Sequence, residues 1–355
     1  MVRSFWRIAS VTIAVALASG CGGNGGEEPA GAPPGQRPKL ALVLSSSQLS
    51  AGKELGAGFT NTAGQLGADA MVSGPPLADP VKQAEVFKEM MNSAKGGVAI
   101  QATDAELIAR ELAAAVQGGF PVIAVDIKPA ATSGVKTFVG NDNRQLGELL
   151  ADELIGRLPA GSTGTVLVGS TRPGLTVMEQ RMQGIRDRFA AKLPGVKLAG
   201  PFDTQTDATA NLASWNRLAA ATPGALALIG TGSTDGPSIA TVHAERKASW
   251  LGAGFDLHPK TITGLQKGEL VAIASPEHYL AGAVAGWLQA RHAQAGAPLP
   301  QGWVQTPSLV ITKKNLPEII KRQQSDDAKA AFFKPQIDEL TANLPTYTKP
   351  LIPAG

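Results

Sequence analysis

The stretch Gly96–Asp126, GGVAIQATDAELIARELAAAVQGGFPVIAVD, decides the fold class. It holds two short apolar runs, Gly97–Ile100 and Val122–Val125. Between them, Asp104–Gln117 has apolar residues at helical spacing. Short continuous apolar runs are typical of parallel strands that are covered on both faces. The stretch therefore predicts a strand–helix–strand unit.

The same alternation continues along the chain in both directions. Further strands are predicted at Leu40–Leu44, Ala70–Val72, Thr137–Val139, Thr165–Val168, Val196–Leu198, Ala225–Ile229, Ser249–Gly252, Val271–Ala274 and Ser308–Ile311. Further helices are predicted at Glu54–Leu66, Pro80–Ala94, Asn143–Leu158, Val177–Lys192, Ala208–Ala220, Gly236–Arg246, Pro259–Lys267 and His278–Ala293. In a chain of 355 residues, two smaller parallel sheets fit this pattern better than one large sheet. The predicted fold class is α/β with two Rossmann-like lobes.

The N-terminus has the pattern of an export signal. Arg3 and Arg7 precede an apolar stretch, Ile8–Leu17, that is too short to span a bilayer. The small residues of Ala18–Gly20 then lead to Cys21, which resembles the lipobox of bacterial lipoproteins. We therefore predict a lipoprotein signal peptide over residues 1–20, a lipidated Cys21 and an extracytoplasmic protein anchored to the cell membrane. The alternative is an ordinary secretory signal with an incidental Cys21. Residues 21–38 are rich in Gly and Pro and predict a flexible tether.

Composition excludes several classes of function. The formal net charge is +3, of which two charges come from Arg3 and Arg7, so no nucleic-acid partner is expected. With one Cys, the chain has no internal disulfide and no cysteine-ligated metal cluster. The four His residues lack metal-ligand spacing, so surface or capping roles are predicted for them. No metal and no cofactor is predicted.

Polar residues follow several of the predicted strands, where open α/β sheets bind ligands. These residues are Gln101, Asp126, Asn141, Asp256 and Ser275.

Five segments, in this order, resemble the type I periplasmic solute-binding proteins of the ribose and galactose class, which feed ABC importers. They are Gly96–Asp126, Phe138–Leu154 (FVGNDNRQLGELLADEL), Met178–Phe189 (MEQRMQGIRDRF), Ser233–Thr241 (STDGPSIAT) and Leu251–Asp256 (LGAGFD). The resemblance covers Lys39 to about Thr312 and implies three crossovers between the two lobes.

The resemblance also implies a set of ligand-binding residues. They are Gln101, Asp126, Asn141, Arg181, Thr234, Asp235, Asp256 and Ser275. The Asp residues and Arg181 also have simpler interpretations: the Asp residues suit helix caps or turns, and Arg181 suits a solvated basic helix face.

The chain departs from that class in one respect, because the aromatic residues that usually stack on a sugar ring are missing. Neither Ser45–Gly52 nor Asp203–Asp207 contains one. The expected ligand is therefore a small polar, carbohydrate-like solute such as a polyol, a furanose-like compound or a sugar acid. Arg181 and Lys128 would suit an acid. Replacement stacking surface is available from Phe59, Trp215, Phe255, His258 and Tyr279.

The expected division of the chain follows from these boundaries. The first lobe is expected over 39–140 and 276–304, the second over 141–275 and 305–343, with crossovers near Asn141, Ser275 and Gln305 and a tail over 344–355.

The expected function is that of a monomeric, membrane-tethered receptor, not an enzyme, that delivers its solute to an ABC transporter permease. The alternative is a ligand-sensing lipoprotein that presents a signal to a membrane receptor. A lipid-anchored hydrolase is less favoured, because Val168–Arg172 lacks the second Gly of a nucleophile elbow.

Overall fold

The computed structural model describes residues 36–352, which alternate between strands and helices. The strands are β1 (Lys39–Val43), β2 (Asp69–Ser73), β3 (Val98–Ile100), β4 (Val122–Val125), β5 (Thr137–Gly140), β6 (Gly164–Ser170), β7 (Val196–Asp203), β8 (Ala227–Gly230), β9 (Leu251–Phe255), β10 (Ala272–Ser275), β11 (Gly302–Gln305), β12 (Leu309–Ile311) and β13 (Thr348–Lys349). The helices are α1 (Ser50–Gln65), α2 (Pro80–Ser93), α3 (Ala109–Gln117), α4 (Asn143–Ile155), α5 (Thr176–Lys192), α6 (Ala208–Ala221), α7 (Asp235–Arg246), α8 (Pro259–Lys267), α9 (His278–Ala295), α10 (Leu316–Arg322), α11 (Asp326–Ala342) and α12 (Leu344–Tyr347).

The strands form two separate sheets, each the centre of one lobe. The first sheet has seven strands in the order β13-β11-β5-β4-β3-β1-β2, and the second has six in the order β12-β10-β9-β8-β6-β7. All neighbouring strands are parallel except β13 and β12, the antiparallel strands at one edge of each sheet. The predicted fold class of two α/β lobes is confirmed.

Helices cover both faces of each sheet, which explains the continuous apolar runs in the strands. In β1, Leu42 faces the core under α1 and α9, whereas Val43 faces the core under α2 and α3. In β6, Val168 packs towards α4 and α5, whereas Leu167 packs with Trp215 of α6. Successive strand residues point to opposite faces, so a strand buried on both faces has no polar positions to alternate.

The chain passes between the sheets after β5, after β10 and after β11, near the expected positions, and a fourth time after β12, which was not expected. One part of the expected division is wrong, because α11 does not belong to the second lobe. Phe333 and Leu340 of α11 are buried in the core of the first lobe, and Lys329 pairs with Glu54 of α1 at 2.8 Å. The tail also differs, since β13 adds a strand to the first sheet by pairing with β11.

The predicted signal peptide and Cys21 lie outside the described residues. The described end of the predicted tether is anchored, because Arg37 pairs with Asp69 at 2.9 Å and donates to the carbonyl of Ala68 at 3.0 Å. Within residues 36–352, no helix combines the length and apolar character needed to cross a membrane.

Two helix pairs, one in each lobe, pack closely through glycines. A Cβ atom at Gly58 of α1 would overlap the carbonyl oxygen of Tyr279 in α9, and one at Gly282 of α9 would overlap that of Leu55. In the second lobe, a Cβ at Gly184 of α5 would overlap the carbonyl of Arg144 in α4. These contacts set the positions of α9 and α5, both of which carry residues of the cleft described below.

We predict that Gly58→Ala lowers the free energy of unfolding by about 1–3 kcal/mol, because the added methyl group forces α1 away from α9. Urea denaturation measures the change. The matched control is Gly64→Ala in the same helix, where nothing lies within 4 Å of the added atom and a gain of about 0.5–1 kcal/mol is expected. Equal stabilities for the two variants would contradict this account of the α1–α9 contact.

Candidate functional site: a charged cleft between the lobes

A cavity of about 70 Å³ lies where the two lobes face each other. Its walls come from the segments that follow the carboxyl ends of strands in both sheets and from the first turns of α5 and α9. Parallel strands end at the same edge of their sheet, so the residues after them collect in one place. The lining residues are Ser45, Leu49, Ala51, Gly52, Ala78, Gln101, Thr103, Asp126, Ile127, Thr171, Arg172, Leu175, Val177, Met178, Arg181, Thr206, Ser233, Thr234, Asp256 and His278.

Asp126 and Asp256 occupy equivalent positions in the two lobes. Each directly follows a strand, β4 or β9, and each donates its backbone N–H to the neighbouring strand, at 2.8 Å for Asp126 and 2.9 Å for Asp256. Both have left-handed backbone conformations, with φ of 64° and 70°. Asp tolerates this conformation better than most residues, and its use at both positions indicates that side-chain direction matters more there than local strain.

The imidazole of His278 lies between these two carboxylates. Its Nε2 is 3.0 Å from Oδ1 of Asp256, and its Nδ1 is 3.3 Å from Oδ1 of Asp126. Burial alone would lower the pKa of His278, but the two carboxylates outweigh it and raise the pKa to about 10. In return, and against the effect of burial, His278 holds the pKa of Asp126 below its ordinary value and that of Asp256 at about 2. The three groups form a buried ion triad across the cleft.

The remaining oxygens of both carboxylates also have protein partners. Gln101 donates from Nε2 to Oδ2 of Asp126 at 2.7 Å, and its Oε1 accepts from the hydroxyl of Ser45 at 2.9 Å. The hydroxyl of Ser233 donates to Oδ2 of Asp256. Each carboxylate therefore lies beside the imidazolium and also accepts from a neutral donor of its own lobe.

Arg181 is buried in the second lobe and reaches the cavity from α5. Its Nε donates to Asn143 at 2.8 Å, its Nη1 donates to the carbonyl of Thr231 at 2.7 Å, and its guanidinium lies 4.4 Å from the ring centroid of Phe255. These contacts orient a side chain that is only 2% exposed.

Five of the eight predicted ligand-binding residues meet at the cavity. They are Gln101, Asp126, Arg181, Thr234 and Asp256.

The other three, Asn141, Asp235 and Ser275, do not line the cavity. Asp235 is fully buried, where burial raises its pKa, and its oxygens accept from Thr204, Asn211, Trp215 and the N–H of Gly232. It fixes the loop after β8 instead of meeting a ligand.

Ser275 and Asn141 are buried at two of the crossovers. The Ser275 hydroxyl accepts from the N–H of Glu277 at 3.3 Å, which caps the turn into α9. The amide of Asn141 has no hydrogen-bond partner within residues 36–352.

Sequence reasoning missed His278, to which it assigned a surface or capping role. The side chain is 6% exposed and lies at the centre of the site. Its position three residues after β10 was the available signal, because Gln101, Asp126 and Asp256 were predicted from the same proximity to strand ends. His258 does have the predicted capping role, since its ring accepts from the N–H of Lys260 at 3.1 Å.

Arg172 was also missed: it lines the cavity and donates across the cleft to the carbonyl of Thr103 at 3.3 Å.

No Phe, Tyr or Trp among the described residues lines the cavity. The proposed aromatic replacements are used elsewhere: Phe59 and Tyr279 in the first core, Trp215 in the second lobe and Phe255 beneath Arg181. Lys128 is also outside the cavity, 4.5 Å from the ring centroid of Trp303.

A larger outer pocket of about 370 Å³ adjoins the cavity. The two share Leu49, Thr206, Ser233 and Thr234 as walls. Because residues of both lobes line this pocket too, it extends the cleft outwards from the ion triad.

Behind the triad, a buried ion pair joins the crossover before α9 to α10. Glu277, with a left-handed backbone at φ 56°, accepts from both terminal nitrogens of Arg322 at 2.7 and 3.2 Å. The Arg322 guanidinium lies 4.8 Å from the ring centroids of Phe332 and Phe333 in α11. Glu277, the residue before His278, is therefore held by α10 of the second lobe, and its partner Arg322 also contacts α11 of the first lobe.

Two α/β lobes, linked by several crossovers and facing each other across a polar cleft, define a bilobal solute-binding protein. A family model described as a periplasmic binding protein domain matches residues 40–297. Since that range is more than half of the 355 residues, the chain belongs to this family, and its fold is that of the type I periplasmic binding proteins.

Solved structures support the fold assignment. A glucose–galactose binding protein, GanP, from Geobacillus stearothermophilus matches with a TM-score of 0.71 and 22% identity over 79% of this chain and 99% of its own. An ABC transporter periplasmic solute-binding protein from Actinobacillus succinogenes, solved with bound D-allose, matches with a TM-score of 0.72 and 19% identity over 79% of this chain and 100% of its own. The arabinose-binding protein AraP from Geobacillus stearothermophilus matches with a TM-score of 0.69 and 22% identity over 80% of this chain and 99% of its own. A search of curated proteins gives no match.

The ion triad predicts a pH-dependent contribution to stability. Because folding raises the pKa of His278 from 6.5 to about 10, its contribution is complete below pH 6.5 and is lost as the pH rises towards 10. The stability difference between the wild type and His278→Gln should therefore shrink between pH 6.5 and 9, on the order of 1 kcal/mol per pH unit. Urea denaturation at several pH values measures it. His292→Gln, at the other end of α9, is the control, and a difference for His278→Gln that stays constant or grows with pH would contradict the triad.

The buried pair of Glu277 and Arg322 predicts a large loss of stability when one partner is removed. Their side chains are 5% and 1% exposed, so Glu277→Gln leaves an uncompensated buried guanidinium and should cost about 3–5 kcal/mol. Thermal or urea unfolding provides the measurement. The exposed pair of Lys334 and Asp338 is the comparison, because Asp338→Asn should change stability by less than about 1 kcal/mol. Similar effects of the two substitutions would show that the buried pair is not a structural tie.

Proposed function

We propose that this protein is an extracytoplasmic receptor, not an enzyme, that captures a small polar, carbohydrate-like solute in the interlobe cleft. The observation that carries the proposal is the meeting of Asp126 from one lobe and Asp256 from the other in a single buried cavity. Hydrogen-bonding groups from both lobes favour a ligand that bridges them, so binding and lobe closure are coupled.

The chemistry of the cleft suits a ligand with hydroxyl groups. A hydroxyl donates one hydrogen bond and accepts others, so it can meet carboxylates, amides and guanidinium groups together. Bonds to the charged groups are roughly twice as strong as bonds between neutral groups. The relatives with solved structures include proteins named for glucose–galactose or arabinose binding and one that holds D-allose.

The arrangement of His278 argues against catalysis. Both ring nitrogens face carboxylates, so neither is available to take a proton from a nucleophile. The nearby hydroxyl of Ser233 donates to Asp256 instead of to the imidazole. The residues therefore hold fixed charges and do not form an activated Ser–His pair.

Binding is tested by thermal shift and calorimetry with a panel of sugars, polyols and sugar acids. A ligand at 100 times its Kd should stabilise the protein by about 2.7 kcal/mol, a rise of several degrees in Tm. Asp126→Asn and Asp256→Asn should each weaken binding at least tenfold, while Asp338→Asn on the exposed face of α11 should bind like the wild type. Failure of every candidate to stabilise the wild type would contradict the proposal.

We further propose that the receptor is tethered through Cys21 and delivers its solute to an ABC transporter permease. The family assignment and the sequence of residues 1–21 support this proposal. Cys21→Ser should release the protein from the membrane fraction of the cells that produce it. If the variant stays in the membrane fraction to the same extent as the wild type, the lipid anchor is wrong.

A further inference from the structure

The charges that line the cavity do not balance. Asp126 and Asp256 are its only lining carboxylates within the described part of the chain, whereas Arg172, Arg181 and the His278 imidazolium supply three positive charges. The buried charges alone balance, so the excess of one positive charge comes from the partly buried Arg172.

The two carboxylates already have partners in the protein, but one guanidinium has no carboxylate hydrogen-bonded to it. Each Asp lies beside the His278 imidazolium and accepts from a neutral side chain, Gln101 or Ser233. Arg181 bonds only to neutral acceptors, the Asn143 amide and the Thr231 carbonyl.

Within residues 36–352, Nη2 of Arg181 has no hydrogen-bond partner and the guanidinium forms no salt bridge. Burial lowers the pKa of Arg181 and outweighs Asp256 and Asp126, which are near enough to favour its charged form. A guanidinium that is 98% buried without a paired anion is costly. Because Nε and Nη1 are used within the lobe, Nη2 is the nitrogen left to meet a ligand in the cavity that Arg181 lines.

A second cation stands at the entrance to the same cavity. Arg172 is only partly buried, and the single hydrogen bond of its guanidinium among the described residues uses Nη1. The outer pocket continues the positive side of the cleft with Lys260, although Asp207, which caps α6, lies there as well.

We infer that the solute is a monoanionic hydroxy acid, of the aldonate or uronate kind, whose carboxylate pairs with Arg181 and Arg172. This inference rests on the proposed function and narrows it to one ligand class. A single negative charge neutralises the excess in the cleft, whereas a neutral sugar leaves Arg181 without a counterion and a phosphate dianion overcompensates. Planar guanidinium groups match the two oxygens of a carboxylate, and the ligand hydroxyls then face the outer pocket.

The test is calorimetry with matched acid and neutral pairs at one fixed ionic strength. The probes are D-gluconate with D-glucitol, D-galacturonate with D-galactose, and D-erythronate with erythritol; D-glucose 6-phosphate is the dianion. We expect the acid to bind at least tenfold more tightly than its neutral partner in at least one pair, and more tightly than the phosphate.

Substitutions of Arg181 and Arg172 test which residues cause the preference for the acid. Arg181→Gln should remove the preference for the acid, but this buried residue also supports the fold, so Arg172→Gln at the rim is the decisive variant. It should weaken binding of the acid at least fivefold more than it weakens binding of the neutral partner, because only the acid loses an ion pair. Arg186→Gln is the matched control, because Arg186 lies on the same helix as Arg181 but bonds to the carbonyl of Gly200 outside the cavity.

The outcomes separate this inference from the proposed function. If neutral members bind as tightly as the acids in every pair, or if the phosphate binds best, the inference is overturned while the receptor function stands. If Arg172→Gln weakens acid and neutral ligands equally, the carboxylate does not pair with Arg172 and the inference fails. If no probe of any class binds, the proposed function falls and this inference falls with it.

Discussion

The imidazolium of His278, held between carboxylates of opposite lobes, is the interaction on which the cleft depends. Two buried carboxylates that face each other repel and favour the neutral, protonated form. A cation between them converts this repulsion into attraction across the cleft, as the low pKa of Asp256 reflects. The imidazolium also occupies part of the hydrogen-bonding capacity of Asp126 and Asp256, which leaves fewer of their lone pairs for the hydroxyl groups of a ligand. Ligand selectivity therefore shifts towards the guanidinium groups.

The scaffold places these charges through a few backbone constraints. Both carboxylates stand on left-handed residues at strand ends, and His278 begins a helix whose position is set by its glycine contacts with α1. Glu277 and Arg322 fix the turn that leads to His278. Because these constraints come from both lobes and from a crossover, a change of lobe angle must alter the distances within the triad. The angle between the lobes and the ion-pair distances around His278 therefore change together.

Much of this arrangement was predictable from sequence, for physical reasons. Continuous apolar runs identify strands buried on both faces, and Asp126 and Asp256 were found because ligand-facing residues follow such strands. The same rule also selected Asn141 and Ser275, which do not line the cavity. Asp235, which the resemblance implied, bonds within its own lobe. His278 was missed because a single imidazole shows no periodic pattern. The strands β11 and β13 were not predicted, and α11 was assigned to the wrong lobe, because local patterns do not specify long-range packing.

Nitrogen-detected NMR of the imidazole rings tests the central claim most directly. The chain has four His residues, and ¹⁵N labelling of histidine distinguishes rings with one proton from rings with two. At pH 8.5 without added ligand, we expect the ring assigned to His278 through its loss in His278→Gln to carry protons on both nitrogens. A neutral, singly protonated His278 at that pH would contradict the ion triad and the account of the cleft that is built on it.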